Sequence, residues 1–310
     1  MVPERGVRKQ QNTSRTLADL SALADAVNAA MVQCNLDAAP AAVHQLRTGS
    51  RRVQAMLQAT LREAGPVAEV LQQPARAWLR ELKKVRQAAG AVRDLDVHRA
   101  LLATCRATQG RPAPLAAQTE ALDAWLALER QQEARRMQKR MKKRRQRVME
   151  RQCMVFVALS SLPSALLWTS RSTDAAALRE FVRVSDAMPS LDADNLHDFR
   201  KAIKKARYVA EAGAQDQPYS QVAKALKRVQ DAIGEWHDWH CLANASSELK
   251  AGAPELTEFL RQAAERHLTA AIKTTESMRG KLLGEWMATQ QAGPRRSPAS
   301  VVSRRPRKRA

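Results

Sequence analysis

The sequence has 310 residues, 45% apolar and only 4% aromatic, with 52 Lys and Arg against 31 Asp and Glu for a formal net charge of +21. That length holds one large domain or two of ordinary size, and that charge points away from cationic partners and towards polyanions. Residues 1–16 carry +3 of the excess, residues 130–151 carry +9 and residues 293–310 carry +7, which leaves +2 for the rest. An anion site outside those three segments therefore requires charge to be segregated onto faces.

Ala, Leu, Arg, Gln, Lys and Glu, the good helix formers, dominate the chain, and no alternating Val-, Ile- or Tyr-rich run marks a strand. The fold class expected is all-α. In chain order, residues 17–33 read as an amphipathic helix, and a second runs from Pro40 to about Ala64, where Gly65-Pro66 stops it. A third covers about 67–90 and is expected to end near Gly90. After the loop at Arg111–Pro114, a long helix follows from about Leu115 to Met154. Pro163 and the stretch Thr169–Asp174 mark a boundary between halves, placing one half at 17–170 and the other at 171–290. The second half has a helix from about 174, breaks at Pro189, Pro218 and Gly252–Pro254, and a last helix to about Gln290. Residues 1–16 and 291–310 are basic and poor in apolar residues, and are expected to be disordered. The apolar run Cys153–Trp168 is interrupted by serines and Pro163, so it reads as a buried helix ending in a turn, and no membrane insertion is expected. Four scattered cysteines without a CxxC pair and an N-terminus without an apolar core suggest a reducing cytoplasm.

An internal repeat carries the most information. AVHQLRTGSRRVQAML, from Ala42, aligns with NLHDFRKAIKKARYVA, from Asn195. This pairs His44 with His197, Arg47 with Arg200, Arg51 with Lys204 and Arg52 with Lys205. LKKVRQAAGAVRDLDVH, from Leu82, aligns with LKRVQDAIGEWHDWHCL, from Leu226, matching Gly90 to Gly234 and Asp94 to Asp238. Two ungapped blocks in the same order point to a tandem duplication.

On a helical wheel His44, Arg47 and Arg51 form one stripe, opposite the apolar Leu46, Val53 and Leu57. His197, Arg200 and Lys204 repeat it, extended by Arg207 and Tyr208, with Lys201 and Lys205 alongside. The following helices add Arg80, Lys83 and Lys84, matched by Lys224, Lys227 and Arg228. A solvated surface is the ordinary explanation for such runs, and it predicts Asp or Glu at i, i+4. Such partners are missing along Arg47–Arg52, and along Lys201–Arg207 before Glu211. An anion-binding face is therefore the better reading, with Arg supplying paired donors to phosphate oxygens, Lys a point charge, and His44 or His197 one further hydrogen bond.

The pattern H-x-x-R-x-x-x-[RK]-[RK], followed by a helix ending in G-x-x-R-D-x-D-V, resembles the CHAD domain, a histidine-containing α-helical family. It is carried by His44–Arg47, Arg51-Arg52 and Arg93–Val97 in the first half, and by Leu196–Lys201 and Gly234–Asp238 in the second. The resemblance spans roughly residues 17–290 and implies two four-helix bundles related by a pseudo-twofold. It also implies a basic surface or cavity for inorganic polyphosphate, often on polyphosphate granules. That role carries over to His44, Arg47, Arg51, Arg52, His197, Arg200, Lys204 and Lys205. Some relatives fuse the domain to a triphosphatase module with an E-x-E-x-K signature; this sequence lacks the signature and reads as the standalone binding domain.

The expected function is non-catalytic polyphosphate binding in the cytoplasm, without a cofactor. The segment Glu235–His240 invites a metal reading, but the first repeat has Arg93 where His237 stands, and arginine does not replace a metal-ligating histidine. No metal is therefore expected, and no phosphate loop or nucleophile motif indicates an enzyme. The competing reading is non-specific nucleic-acid binding through residues 130–151 and the tail. Arg140, Lys143, Arg144 and Arg147 of that run are candidate secondary anion contacts.

Overall fold

The computed structural model of the protein describes residues 5–64, 69–106, 112–161, 170–211, 220–249 and 252–291. They form α1 (Arg5–Leu36), α2 (Pro40–Ala64), α3 (Glu69–Arg106), α4 (Ala113–Ser160), α5 (Ser170–Ala187), α6 (Leu196–Glu211), α7 (Gln221–Ser247) and α8 (Pro254–Gln291), with no strand among the described residues. The architecture is two four-helix bundles. In the first, α1 packs on α2, α2 on α3, α3 on α4 and α4 back on α1; α5–α8 repeat the same pairings.

Local chemistry explains most of the boundaries. Pro40 opens α2 and Pro254 opens α8, since a first-turn residue has no intrahelical use for its N–H. The α1–α2 turn is closed by Ala38 at φ 52° and by Asp37, whose Oδ1 accepts from the Ala39 N–H at 2.9 Å. Ser220 caps α7 by accepting from the Ala223 N–H at 3.1 Å, and donates to Asp174 of α5 at 2.7 Å. Gly252, at φ 72°, turns the chain into α8.

Two expectations are corrected. The third helix does not stop at Gly90 but runs on to Arg106. One interior glycine costs about 1 kcal/mol, and the buried Val92, Leu102 and Cys105 continue the apolar face beyond it. The first helix begins at Arg5, twelve residues before Leu17, so residues 5–16 are helical. Arg, Lys and Gln make up half of that stretch, and it holds no proline to break a helix. The expected half boundary around Pro163 and the tail 292–310 lie outside the described residues.

Each bundle has its own core. Val27, Leu46, Leu57, Trp78, Leu82 and Met137 are among the buried residues of the first, and Phe181, Phe199, Ile203, Leu226 and Ile233 of the second. A third cluster joins the bundles: Leu102 of α3 and Leu122 and Leu126 of α4 pack with Leu242 of α7 and Leu256 and Leu260 of α8. With that contact as a base, α2 lies against α6 and α3 against α7. The repeated stripes thereby face each other. Among the described residues no helix is long and apolar enough to cross a membrane.

Candidate functional site

Where α2 and α3 meet α6 and α7, a cavity of about 770 Å³ opens between the bundles. Arg47, Arg51, Arg52 and Arg93 line it from the first half, and Arg200, Lys204, Arg207 and Lys227 from the second. Four carboxylates, Asp94, Glu211, Asp231 and Asp238, share the walls, so cations outnumber them two to one. Neither half alone forms the cavity.

At its heart each half presents an arginine lying over a glycine. Arg47 Nη1 donates to the Gly90 carbonyl at 2.9 Å and to Asp94 Oδ1 at 3.0 Å. Arg200 crosses Gly234 so closely that a Cβ there would sit 2.8 Å from its Nη2, which accounts for the glycine in the second half. Burial lowers the pKa of Arg200 despite the favourable field of Asp238, and its Nε is buried with no hydrogen-bond partner. Burial likewise raises the Asp238 pKa, against the pull of Arg200. The two aspartates of the repeated signature thus serve the two arginines. Asp96 of the same signature does something else: it pairs with Arg130, whose Nη2 also donates to the Ala38 carbonyl at 2.8 Å, pinning α3 and α4 to the α1–α2 turn.

Lys204, one turn after Arg200, is half-buried; burial, then the Arg200 and Arg51 charges, push its pKa from 10.5 down to about 7. Arg207 forms an i, i+4 ion pair with Glu211 at 3.1 Å and lies over the Tyr208 ring at 4.8 Å. Four of the six histidines line the cavity: His44, His98, His197 and His237. The His197 and His237 rings lie 4.3 Å apart, and burial, then His197, brings His237 down to about 4. Burial also lowers the pKa of His44 and His197, helped by neighbouring cations. Among the described residues no group of three His, Cys, Asp or Glu is arranged to hold a metal ion.

Nine of the cations, histidines and tyrosine expected on the α2 and α6 stripes line this cavity: His44, Arg47, Arg51, Arg52, His197, Arg200, Lys204, Arg207 and Tyr208. Lys201 and Lys205 line a smaller adjoining cavity of about 340 Å³, and both have acidic partners the sequence pattern did not show. Lys201 reaches back to Asp198 at 2.8 Å, and Lys205 reaches Glu180 of α5 at 3.1 Å. Of the α3 and α7 stripes only Lys227 lines the large cavity, ion-paired with Asp231. Arg80, Lys83, Lys84, Lys224 and Arg228 are exposed and line neither cavity. Lys84 instead shares Glu81 with Arg144, at 2.8 and 2.7 Å, which ties α3 to α4. Arg140, Lys143 and Arg147 stand exposed along α4, away from both cavities. Sequence reasoning passed over Arg86 and His98, and took Arg93 only as part of the family signature and His237 only as a rejected metal ligand. Their signal was present, because Arg86, Arg93 and Val97 share a helix face with Gly90 and Asp94, as Gln230, His237 and Cys241 do with Gly234 and Asp238.

Among the described residues these features define an all-helical protein with a cation-rich cavity between its two bundles. The CHAD domain family matches residues 18–246, and the chain belongs to that family, which is known in general to bind polyphosphate. The fold is similar to the CHAD domain crystal structure from the plant Ricinus communis, with a TM-score of 0.63 and 21% identity over 87% of this chain and 91% of that one. It is also similar to PptA from Streptomyces chartreusis, with a TM-score of 0.60 and 19% identity over 89% of this chain and 99% of that one. No curated protein matches the sequence.

Proposed function

We propose that the protein binds inorganic polyphosphate, without turning it over, in the cavity between its bundles. The observation that carries this reading is the convergence of four cations from each half on one cavity, with Arg200 and Lys204 held partly desolvated beside like charges. Burying unpaired charge is costly, and a linear polyanion relieves that cost along the whole path. Polyphosphate has no bases, so its recognition is electrostatic and geometric. A single-stranded nucleic acid gains from open aromatic faces. Here the one tyrosine in the wall is flanked by Arg207, with its guanidinium 4.8 Å from the ring centre, and by Arg51, at 6.0 Å. The same chemistry extends the proposal to association with polyphosphate granules, which present this polymer at high density.

The test is competition on the full chain between long-chain polyphosphate and mixed-sequence DNA and RNA, at about 150 mM salt, where exposed contacts are screened beyond about 8 Å. Polyphosphate is expected to displace both nucleic acids. An Arg47→Glu/Arg200→Glu variant is expected to lose roughly 100-fold or more in polyphosphate affinity, as two charge-assisted anchors turn repulsive. Equal binding of nucleic acid, or a folded variant that binds normally, refutes the reading and moves attention to the exposed basic face of α4.

A further inference from the structure

The smaller cavity is chemically unlike the larger one. Five cations, Arg51, Arg86, Lys201, Lys204 and Lys205, line it, and no carboxylate does. Lys201 and Lys205 make their ion pairs outward, with Asp198 and Glu180, neither of which reaches the cavity. Arg86 is partly buried. Its Nη2 donates to Gln54 Oε1 at 2.9 Å, while its Nη1 is buried and has no hydrogen-bond partner. Burial, reinforced by Arg51, pushes its pKa from 12.5 down to about 10. A guanidinium kept there without a carboxylate is a site for an anion brought from outside.

The two cavities share Arg51, Lys204 and Tyr208. Arg51 Nη1 donates to the Tyr208 hydroxyl at 3.1 Å, a bridge from α2 to α6 that forms part of the wall between them. We propose that the smaller cavity is a second phosphate subsite, joined to the larger one through the Arg51–Tyr208 bridge, and that the pair selects polyphosphate chains long enough to occupy both. The inference rests on the polyphosphate reading above and adds chain length to it. A phosphate oxygen is a charged acceptor and a phenol hydroxyl a neutral one, and charge-assisted hydrogen bonds are about twice as strong. An arriving chain therefore draws Arg51 away from Tyr208, whose ring remains against Arg207, and the wall becomes a contact surface. Short chains fill the larger cavity and stop at the bridge, whereas longer ones continue to Arg86.

The experiment titrates the full chain with tripolyphosphate and with linear polyphosphates of increasing length, in the unaltered protein and in two variants. Arg86→Gln removes the buried cation. Gln54→Glu leaves it in place but neutralises it, and keeps the acceptor of its 2.9 Å hydrogen bond, so this variant preserves the packing. In the unaltered protein, affinity is expected to climb with length and then level off. In both variants the ratio of long-chain to tripolyphosphate affinity is expected to fall about ten-fold, one charge-assisted anchor's worth. Thermal melting shows whether each variant is folded. A wild-type ratio in the folded variants, or affinity independent of length in the unaltered protein, overturns the second subsite and leaves the polyphosphate reading standing. Failure of the unaltered protein to bind any length refutes the polyphosphate reading itself.

Discussion

Arg47 and Arg200 hold matching places in the two halves, each lying over a glycine and near an aspartate, yet their surroundings differ. Arg47 is ion-paired to Asp94 at 3.0 Å, and that carboxylate is 64% exposed, so water shares the pair. Arg200 lies deeper: its Nε is buried without a hydrogen-bond partner, its neighbour Asp238 is itself lifted in pKa by burial, and Lys204 crowds it. The histidine ahead of each arginine follows the same trend, His44 exposed and His197 packed on His237. One sequence motif thus yields a solvated, exchangeable ion pair on one wall and a desolvated cation cluster on the other. The difference matters for binding. In the proposed complex a polyanion has to displace Asp94 to engage Arg47 fully, whereas at Arg200 and Lys204 it meets cations already desolvated.

The largest expected effect follows directly. Arg200→Gln should reduce polyphosphate affinity by roughly 100-fold and Arg47→Gln by about ten-fold, the upper and lower ends for one charge-assisted hydrogen-bonding group. Titration of both variants with the same long-chain polymer checks this. Equal losses would mean that the walls are equivalent in solution despite their different burial.

Lys204 sharpens the contrast because its charge is costly where it stands. Its pKa is about 7 when folded against 10.5 for an ordinary lysine. Between those values the unfolded chain binds more protons, so this residue makes stability rise with pH through that window. Below about pH 7 the cost is present in full. Lys204→Met should therefore stabilise the unliganded protein at neutral pH by roughly 1 kcal/mol, a gain that fades towards pH 10, while polyphosphate affinity drops about ten-fold. Melting temperatures of the two proteins from pH 7 to 10 test the first half of this. A destabilised variant, or a difference that does not change with pH, would show that the lysine carries no such burden.

Much of this was legible in the sequence because the two matching blocks carry the same physical constraint. Helix starts at Pro40 and Pro254 followed from backbone chemistry, and the stripe through His44, Arg47 and Arg51 followed from helical periodicity. Gly90 was misread as a stop. Glycine signals weak helix propensity, but one glycine does not end a helix whose apolar face continues through Val92, Leu102 and Cys105. Arg80, Lys83 and Lys84 were grouped with the site by charge spacing alone, yet they stand on an exposed side of α3 that lines neither cavity. The partners of Lys205 and Arg144 were also hidden, since Glu180 and Glu81 reach them from other helices. Spacing along a helix shows which charges share a face, but not which face meets the other bundle.

The two glycines give the smallest effect and the closest test of how the arginines are seated. Alanine at either position gains helix propensity, up to about 1 kcal/mol. At Gly90 the new methyl would lie 3.7 Å from Arg47 Nη1, an ordinary contact, so Gly90→Ala should be at least as stable as the unaltered protein and bind polyphosphate within about two-fold of it. At Gly234 the methyl would meet Arg200 at 2.8 Å from Nη2 and 3.5 Å from Cζ, and the guanidinium has to move. Gly234→Ala should therefore lose most of the propensity gain and bind about five-fold more weakly, a loss of roughly 1 kcal/mol in keeping with a displaced but not deleted hydrogen-bonding group. Melting and affinity measured together separate the two contributions. Should Gly234→Ala bind as well as Gly90→Ala, the seat of Arg200 would be elastic, and the cluster's binding energy would have to come from charge alone, whatever the position of the guanidinium.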